Sequence, residues 1–137
     1  MMNQSTSVMI VDDEPIVCQR LRSTLEKTGF DIEAFTDPHA AMRRIAEKPF
    51  RVLITDLKMR EVDGIEILKW AQKVSPATKV IIITGFATVE TAREALKIGA
   101  YDFIAKPFKL SLIRDLVMRA LEKPESGSQD GASQLGP

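Results

Sequence analysis

The run Val80-Ile81-Ile82-Ile83-Thr84-Gly85 decides the fold. Consecutive β-branched residues are stiff at χ1 and crowd a helical turn, but they pack well on a pleated surface. A hydrophobic run with no polar alternation fits a strand covered on both faces, as in a parallel sheet. Working outward, Val8-Met9-Ile10-Val11 and Val52-Leu53-Ile54-Thr55 have the same character. Ile32-Glu33-Ala34-Phe35 and Asp102-Phe103-Ile104-Ala105 read as two further short strands. Helical spacing fills the gaps between them. Val17, Leu21, Leu25 and Thr28 mark a first helix that stops at Gly29. Asp37 caps a second helix, with Pro38 at its first position and Pro49 beyond its end. Ile65, Leu68 and Ala71 form a third helix, closed by Ser75-Pro76. Val89, Ala92 and Leu96 form a fourth, ended by Gly99, and Leu112, Ile113, Leu116, Val117, Ala120 and Leu121 form a fifth. Five strands alternating with five helices predict an α/β doubly wound parallel sheet with right-handed crossovers.

The 137 residues suffice for one domain with a core, and 45% hydrophobic with 28% charged residues is ordinary for a globular chain. Lysine plus arginine balances aspartate plus glutamate at 19 each, so no net field recommends nucleic acid or an anionic membrane. Nothing basic or helix-turn-helix-like stands out, and direct nucleic-acid binding is not expected. Cys18 is the single cysteine, which excludes an internal disulfide and points to a reducing cytoplasm. No apolar run approaches a membrane span, and the polar start carries no signal-peptide features. From Pro124 to Pro137 the hydrophobic periodicity stops, so 124–137 is expected to be a flexible C-terminal tail or linker.

In an open parallel sheet, ligands bind beyond the carboxyl ends of the strands. There the sequence places Asp12, Asp13 and Glu14 after the first strand and Asp56 at the end of the third. Thr84 and Gly85 end the fourth, and Lys106-Pro107 follow the fifth. Singly, each has an ordinary explanation: a helix cap, a turn residue, a β-branched filler, a solvated lysine. Together, on neighbouring strand ends, they form a chemistry. Close carboxylates raise one another's pKa, and a hard divalent cation relieves the repulsion; an all-oxygen site suits Mg²⁺. Such an ion also neutralises a transferring phosphoryl group, and a carboxylate oxygen can carry that group covalently. Thr84 can donate a hydroxyl hydrogen bond to it, Lys106 a compact ammonium, and Gly85 leaves room for its approach.

Val-Asp-Asp-Glu at 11–14, Thr-Asp-Leu-Lys-Met at 55–59 with Asp-Gly-Ile-Glu at 63–66, Ile-Thr-Gly at 83–85 and Ala-Lys-Pro-Phe at 105–108 together resemble a response-regulator receiver domain of bacterial two-component systems. The resemblance runs over 5–123. The stretch from Thr84 to Ala92 further resembles receivers of the nitrogen-regulation and dicarboxylate-transport enhancer-binding activators. The resemblance implies a flavodoxin-like (βα)5 sheet of strand order 2-1-3-4-5. It implies phosphorylation of Asp56 and Mg²⁺ held by Asp12, Asp13, Asp56 and the Lys58 carbonyl. Thr84 and Lys106 would contact the phosphoryl group, and a cis bond would precede Pro107. It makes the domain a signalling receiver that promotes its own phosphorylation and dephosphorylation rather than a turnover enzyme. The implied partners are a sensor histidine kinase docking near the first helix and an output partner or effector domain. The sequence departs from the family pattern at Phe103, where many receivers carry a switch tyrosine, and at Arg60, where proline is frequent. Phe103 can still move as an aromatic plug coupled to Thr84, without a hydroxyl to donate. Arg60 leaves the loop after the third strand less rigid than proline would. Tyr101 is out of register for the switch and reads as structural, and the lone His39 reads as solvent-facing.

The implied switch works through the face made by the fourth helix, fifth strand and fifth helix, where Thr91, Glu94, Lys97, Arg114, Asp115 and Arg119 supply mixed charges for a phosphorylation-dependent homodimer. A phosphohydrolase of the haloacid-dehalogenase type would need an Asp-x-Asp element after the first strand and a cap domain. A flavin carrier would need a Gly/Ser/Thr-rich phosphate loop at the same place. Neither feature is present in these 137 residues. A receiver-like module that never takes phosphate is opposed by the complete set of acids with Thr84 and Lys106.

Overall fold

The computed structural model describes residues 7–122. In chain order the elements are β1 (Ser7–Val11), α1 (Pro15–Glu26), β2 (Asp31–Phe35), α2 (Pro38–Glu47), β3 (Val52–Asp56), α3 (Gly64–Val74), β4 (Lys79–Thr84), α4 (Val89–Ile98), β5 (Asp102–Ala105) and α5 (Leu110–Leu121). The strands form one sheet in the order β2-β1-β3-β4-β5, every pair parallel. This is the doubly wound, flavodoxin-like arrangement expected from the sequence. The stretch 124–137, expected to be a tail or linker, lies outside the described residues. Among the described residues no helix is long and apolar enough to cross a membrane.

Alternation along the strands divides the core into two halves. Met9, Val11, Leu53, Val80 and Ile82 pack with Ala41 and Ile45 of α2, Ile67, Leu68 and Ala71 of α3, and Ala95 of α4. Val8, Ile10, Val52, Ile54, Ile81 and Ile83 pack with Leu21 and Leu25 of α1 and with Ile113, Leu116, Val117 and Ala120 of α5. β1, β3 and the last five residues of β4 are buried throughout, which is why they read as unbroken hydrophobe.

The helix boundaries follow local chemistry. Asp37 accepts the His39 amide at 3.0 Å, and Pro38 opens α2. Asp63 and Glu66 form a reciprocal capping box that starts α3. Gly99 closes α4 with φ 129°, a conformation that L side chains rarely adopt.

One face differs from the sequence expectation. The apolar spacing of Val89, Ala92 and Leu96 suggests a core-facing stripe, yet Val89 and Leu96 are exposed and α4 fully buries only Ala95. α4 lies beside the edge strand β5, which has only four residues, none of them fully buried. Little sheet surface remains there for a wide helical stripe to cover.

Gly64 marks the tightest approach of chain to chain near the strand ends. Its N–H donates to the Leu57 carbonyl at 2.7 Å, and a Cβ there would sit 2.5 Å from the Asp56 carbonyl oxygen and 2.9 Å from Leu57 Cα. These are backbone atoms, which cannot swing aside. A Cβ at Gly85 meets nothing within 4 Å. Denaturant unfolding should therefore show Gly64→Ala destabilised by about 1–3 kcal/mol. Gly85→Ala should stay within about 0.5 kcal/mol of the parent chain.

Candidate functional site

The parallel sheet delivers the polar residues to one edge because every strand points the same way. Asp12 continues the alternation of Val8 and Ile10, Asp56 that of Val52 and Ile54, and Lys106 follows Ile104 in the same phase. All three therefore emerge on the α1/α5 side of the sheet edge. Lys106 Nζ reaches past the end of β4 to Asp12 Oδ2 at 3.0 Å and Asp56 Oδ2 at 3.3 Å. It also contacts Glu14 Oε1 at 3.4 Å.

Asp12 is fully buried and Asp56 nearly so, while Asp13 keeps one fifth of its side chain exposed. One carboxylate oxygen from each lies within 4.8 Å of the other two. Three hard oxygen donors with a partly open rim fit a divalent cation such as Mg²⁺, which prefers oxygen ligands and keeps part of its water shell. Burial, opposed by the Glu14 amide and Lys106, holds the Asp12 carboxyl above its ordinary value. Burial and the Asp12 charge do the same to Asp56, again against the pull of Lys106. Burial alone would lower the Lys106 ammonium, but its hydrogen bond to Asp12 and the two aspartate charges raise it.

Thr84 is fully buried at the end of β4, and its Oγ1 accepts the Phe86 amide at 3.0 Å. It continues the alternation of Val80 and Ile82, so it sits one step out of phase with the three ions. Phe103 pairs with Ile82 in the sheet and packs, partly buried, against the α2/α3/α4 half of the core. The Lys106–Pro107 bond is cis, as the resemblance implied. The Lys58 side chain is exposed, with Nζ 6.0 Å from the Phe86 ring centroid, so it bridges the loops after β3 and β4. Tyr101 is partly exposed beneath Lys79 at 5.3 Å and stays away from the carboxylates. His39 is half-exposed and lies 3.0 Å from Glu61.

Two contacts are not legible in the sequence. Gly64 is needed for packing against the backbone of Asp56, and its only signal was its place in the Asp-Gly pair after β3. The sequence suggests a looser loop at Arg60, yet its amide donates to Asp13 Oδ2 at 3.2 Å, an anchor that proline lacks the hydrogen to make. Cys18 is buried beneath the site with its thiol against the Asp12 carbonyl, and burial together with the Asp12 charge pushes it up to about 11. At neutral pH it is therefore an inert thiol.

Residues 8–118 match the family model of the response regulator receiver domain. The chain therefore belongs to the receiver domains of two-component response regulators, the phosphoacceptor modules of that signalling system. It is 34% identical over 140 residues to the transcriptional regulatory protein ZraR of Salmonella typhimurium, covering 99% of this chain and 32% of that protein. It is 38% identical over 117 residues to an NtrX-like response regulator of Rickettsia felis, covering 84% of this chain and 25% of that protein. The chain thus spans about a third and a quarter of these relatives. The beryllofluoride-activated NtrC4 receiver domain dimer superposes with a TM-score of 0.82 at 32% identity, covering 88% of this chain and 99% of that one. NtrX-like and NtrC4 relatives match the nitrogen-regulation likeness of residues 84–92.

A carboxyl whose pKa is raised on folding holds its proton better in the folded chain than in the unfolded one. Its ionisation therefore erodes stability as the pH rises from the ordinary value of 3.8 through the raised folded value. In EDTA, Asp56→Asn should be more stable than the parent at pH 7. That difference should vanish below pH 3.8, where the carboxyl is protonated in both states. Urea unfolding across this range checks both the sign and the window.

Proposed function

We propose that Asp56 is the phosphoacceptor of this domain and that the phosphoryl group is delivered by a sensor histidine kinase. The observation that carries this reading is the convergence of Asp12, Asp13, Asp56 and Lys106 at one sheet edge, in a chain of the receiver family. A carboxylate oxygen of Asp56 attacks phosphorus; the new P–O bond forms as the P–N bond to the donor histidine breaks, and the imidazole leaves. Asp12, Asp13, Asp56 and the Lys58 carbonyl would hold Mg²⁺, which when bound offsets the charge on the transferring group. Lys106 then exchanges part of its contact with Asp56 for the phosphoryl oxygens. Thr84 gives up its acceptor role toward Phe86 only in part, because its hydroxyl hydrogen is available to donate. Water attack on the acyl phosphate, promoted by the same groups, returns the domain to its starting state, so it signals without acting as a turnover enzyme.

The donor would dock beside α1, where Val17, Arg20 and Leu21 with Lys106, Pro107, Phe108 and Leu110 line a groove of about 540 Å³. The output follows from the movement of Thr84 and Phe103. Val89 and Leu96 on α4, Tyr101 before β5, and Leu112 and Met118 on α5 are exposed apolar side chains. On this reading the α4–β5–α5 face pairs with a second copy of the domain; the beryllofluoride-activated NtrC4 receiver is itself a dimer. The receiver unit is taken as 5–123, in the cytoplasm, controlling an output partner or an effector domain. Neither the domain's own nucleic-acid binding nor membrane attachment enters the scheme.

Intact mass after incubation with Mg²⁺ and acetyl phosphate tests the reaction. The parent chain should gain a single phosphoryl increment, lost with EDTA and in Asp56→Asn. Retention of the increment in Asp56→Asn would place the chemistry elsewhere.

A further inference from the structure

The three carboxylates of the acidic cluster are not balanced by one cation. Lys106 bonds Asp12 and Asp56. Asp13 is held from the other side by Arg60: the backbone N–H donates to Oδ2 at 3.2 Å, and the guanidinium Nε lies 4.0 Å from the same oxygen. The Arg60 side chain is 88% exposed and the Asp13 side chain 20% exposed, so the guanidinium lies on the solvent side of that carboxylate. Lys106, at 19%, is shielded to the same degree as Asp13. The loop cannot easily carry Arg60 away, because Gly64 seals its far end against the Asp56 and Leu57 backbone.

We propose that Arg60 is a positioning residue that sets the divalent-cation affinity of this cluster, its N–H pinning Asp13 beside the guanidinium that competes with the cation for the same carboxylate. The inference rests on the metal site of the proposed function and adds a residue to it. A proline at this position would supply neither the N–H nor the charge. The competition is electrostatic: a guanidinium near Asp13 repels an incoming dication and partly neutralises the ligand it needs. Because the guanidinium is exposed, the effect is modest, roughly two- to five-fold in the dissociation constant, in keeping with exposed ion pairs. For the same reason it is screened by salt. The Arg60 side chain is 88% exposed, and the backbone bonds at this position do not depend on it, so its replacement should leave the fold intact.

Calorimetric titration of the parent chain with MgCl₂, beside Arg60→Ala, Arg60→Lys, Arg60→Glu and Asp13→Asn, separates the contributions; thermal midpoints in EDTA check folding. Arg60→Ala, which keeps the N–H, should bind Mg²⁺ roughly two- to five-fold more tightly at low salt. Arg60→Glu should bind more tightly still, Arg60→Lys should stay near the parent, and the differences should shrink at high salt. Asp13→Asn should weaken binding. Parent and Arg60→Ala of equal affinity, with Asp13→Asn weakened, would overturn the role of Arg60 and leave the metal site standing. Unchanged binding in Asp13→Asn would overturn it by removing the shared ligand. A parent chain that binds no Mg²⁺ would overturn both this inference and the metal reading beneath it.

Discussion

The ammonium of Lys106, reaching past the end of β4 to Asp12 and Asp56, is the contact on which the rest of the site depends. A parallel sheet with β1 and β3 adjacent at its centre forces two buried carboxylates together, and a third follows at Asp13. One ammonium cannot offset three carboxylates in a partly desolvated pocket. Burial, joined by the Glu14 charge at Asp12 and by the Asp12 charge at Asp56, leaves both harder to ionise than free carboxyls, even with Lys106 in place. The site is thus short of positive charge, which suits it to a divalent cation and to a reaction that redistributes anionic charge.

The same lysine ties the site to the far edge of the sheet. Lys106 follows β5, and its backbone N–H donates to the Thr84 carbonyl at 2.8 Å, so charge rearrangement at Asp56 acts directly on the ends of β4 and β5. β5 and its neighbour α4 are among the elements least committed to the core. β5 has four residues without full burial, and α4 is anchored by Ala95 alone among its fully buried residues. Segments with few buried apolar contacts reorganise at low free-energy cost, which is where a switch has to be built. The outward stripe of Val89 and Leu96 then has a physical reason: it is available to a partner because the sheet beneath is too narrow to use it.

Much of this was legible in the sequence. The β-branched runs at 8–11, 52–55 and 80–83 predicted buried strands, and a parallel sheet then required Asp12, Asp56, Thr84 and Lys106 to lie at one edge. Strand ends are legible because alternation and direction alone place them. What escaped was set by contacts between segments far apart in sequence. The orientation of α4 depends on how much of β5 is left to cover, and the periodicity of Val89, Ala92 and Leu96 carries no information about that. The place of Gly64 depends on the backbone of Asp56, and the anchor of Asp13 on an amide at Arg60, whose side-chain identity suggested only looseness.

The most direct test of the account is a set of backbone amide spectra recorded with Mg²⁺ alone and then with Mg²⁺ and beryllofluoride, a phosphoryl stand-in, for the parent and for Asp56→Asn. The account predicts that Mg²⁺ shifts amides around Asp12, Asp13 and Asp56. Beryllofluoride should then move those of 84–89 and 101–108 in the parent only. Beryllofluoride shifts that persist unchanged in Asp56→Asn, or that stay confined to residues beside Asp56 and never reach β5, would contradict it.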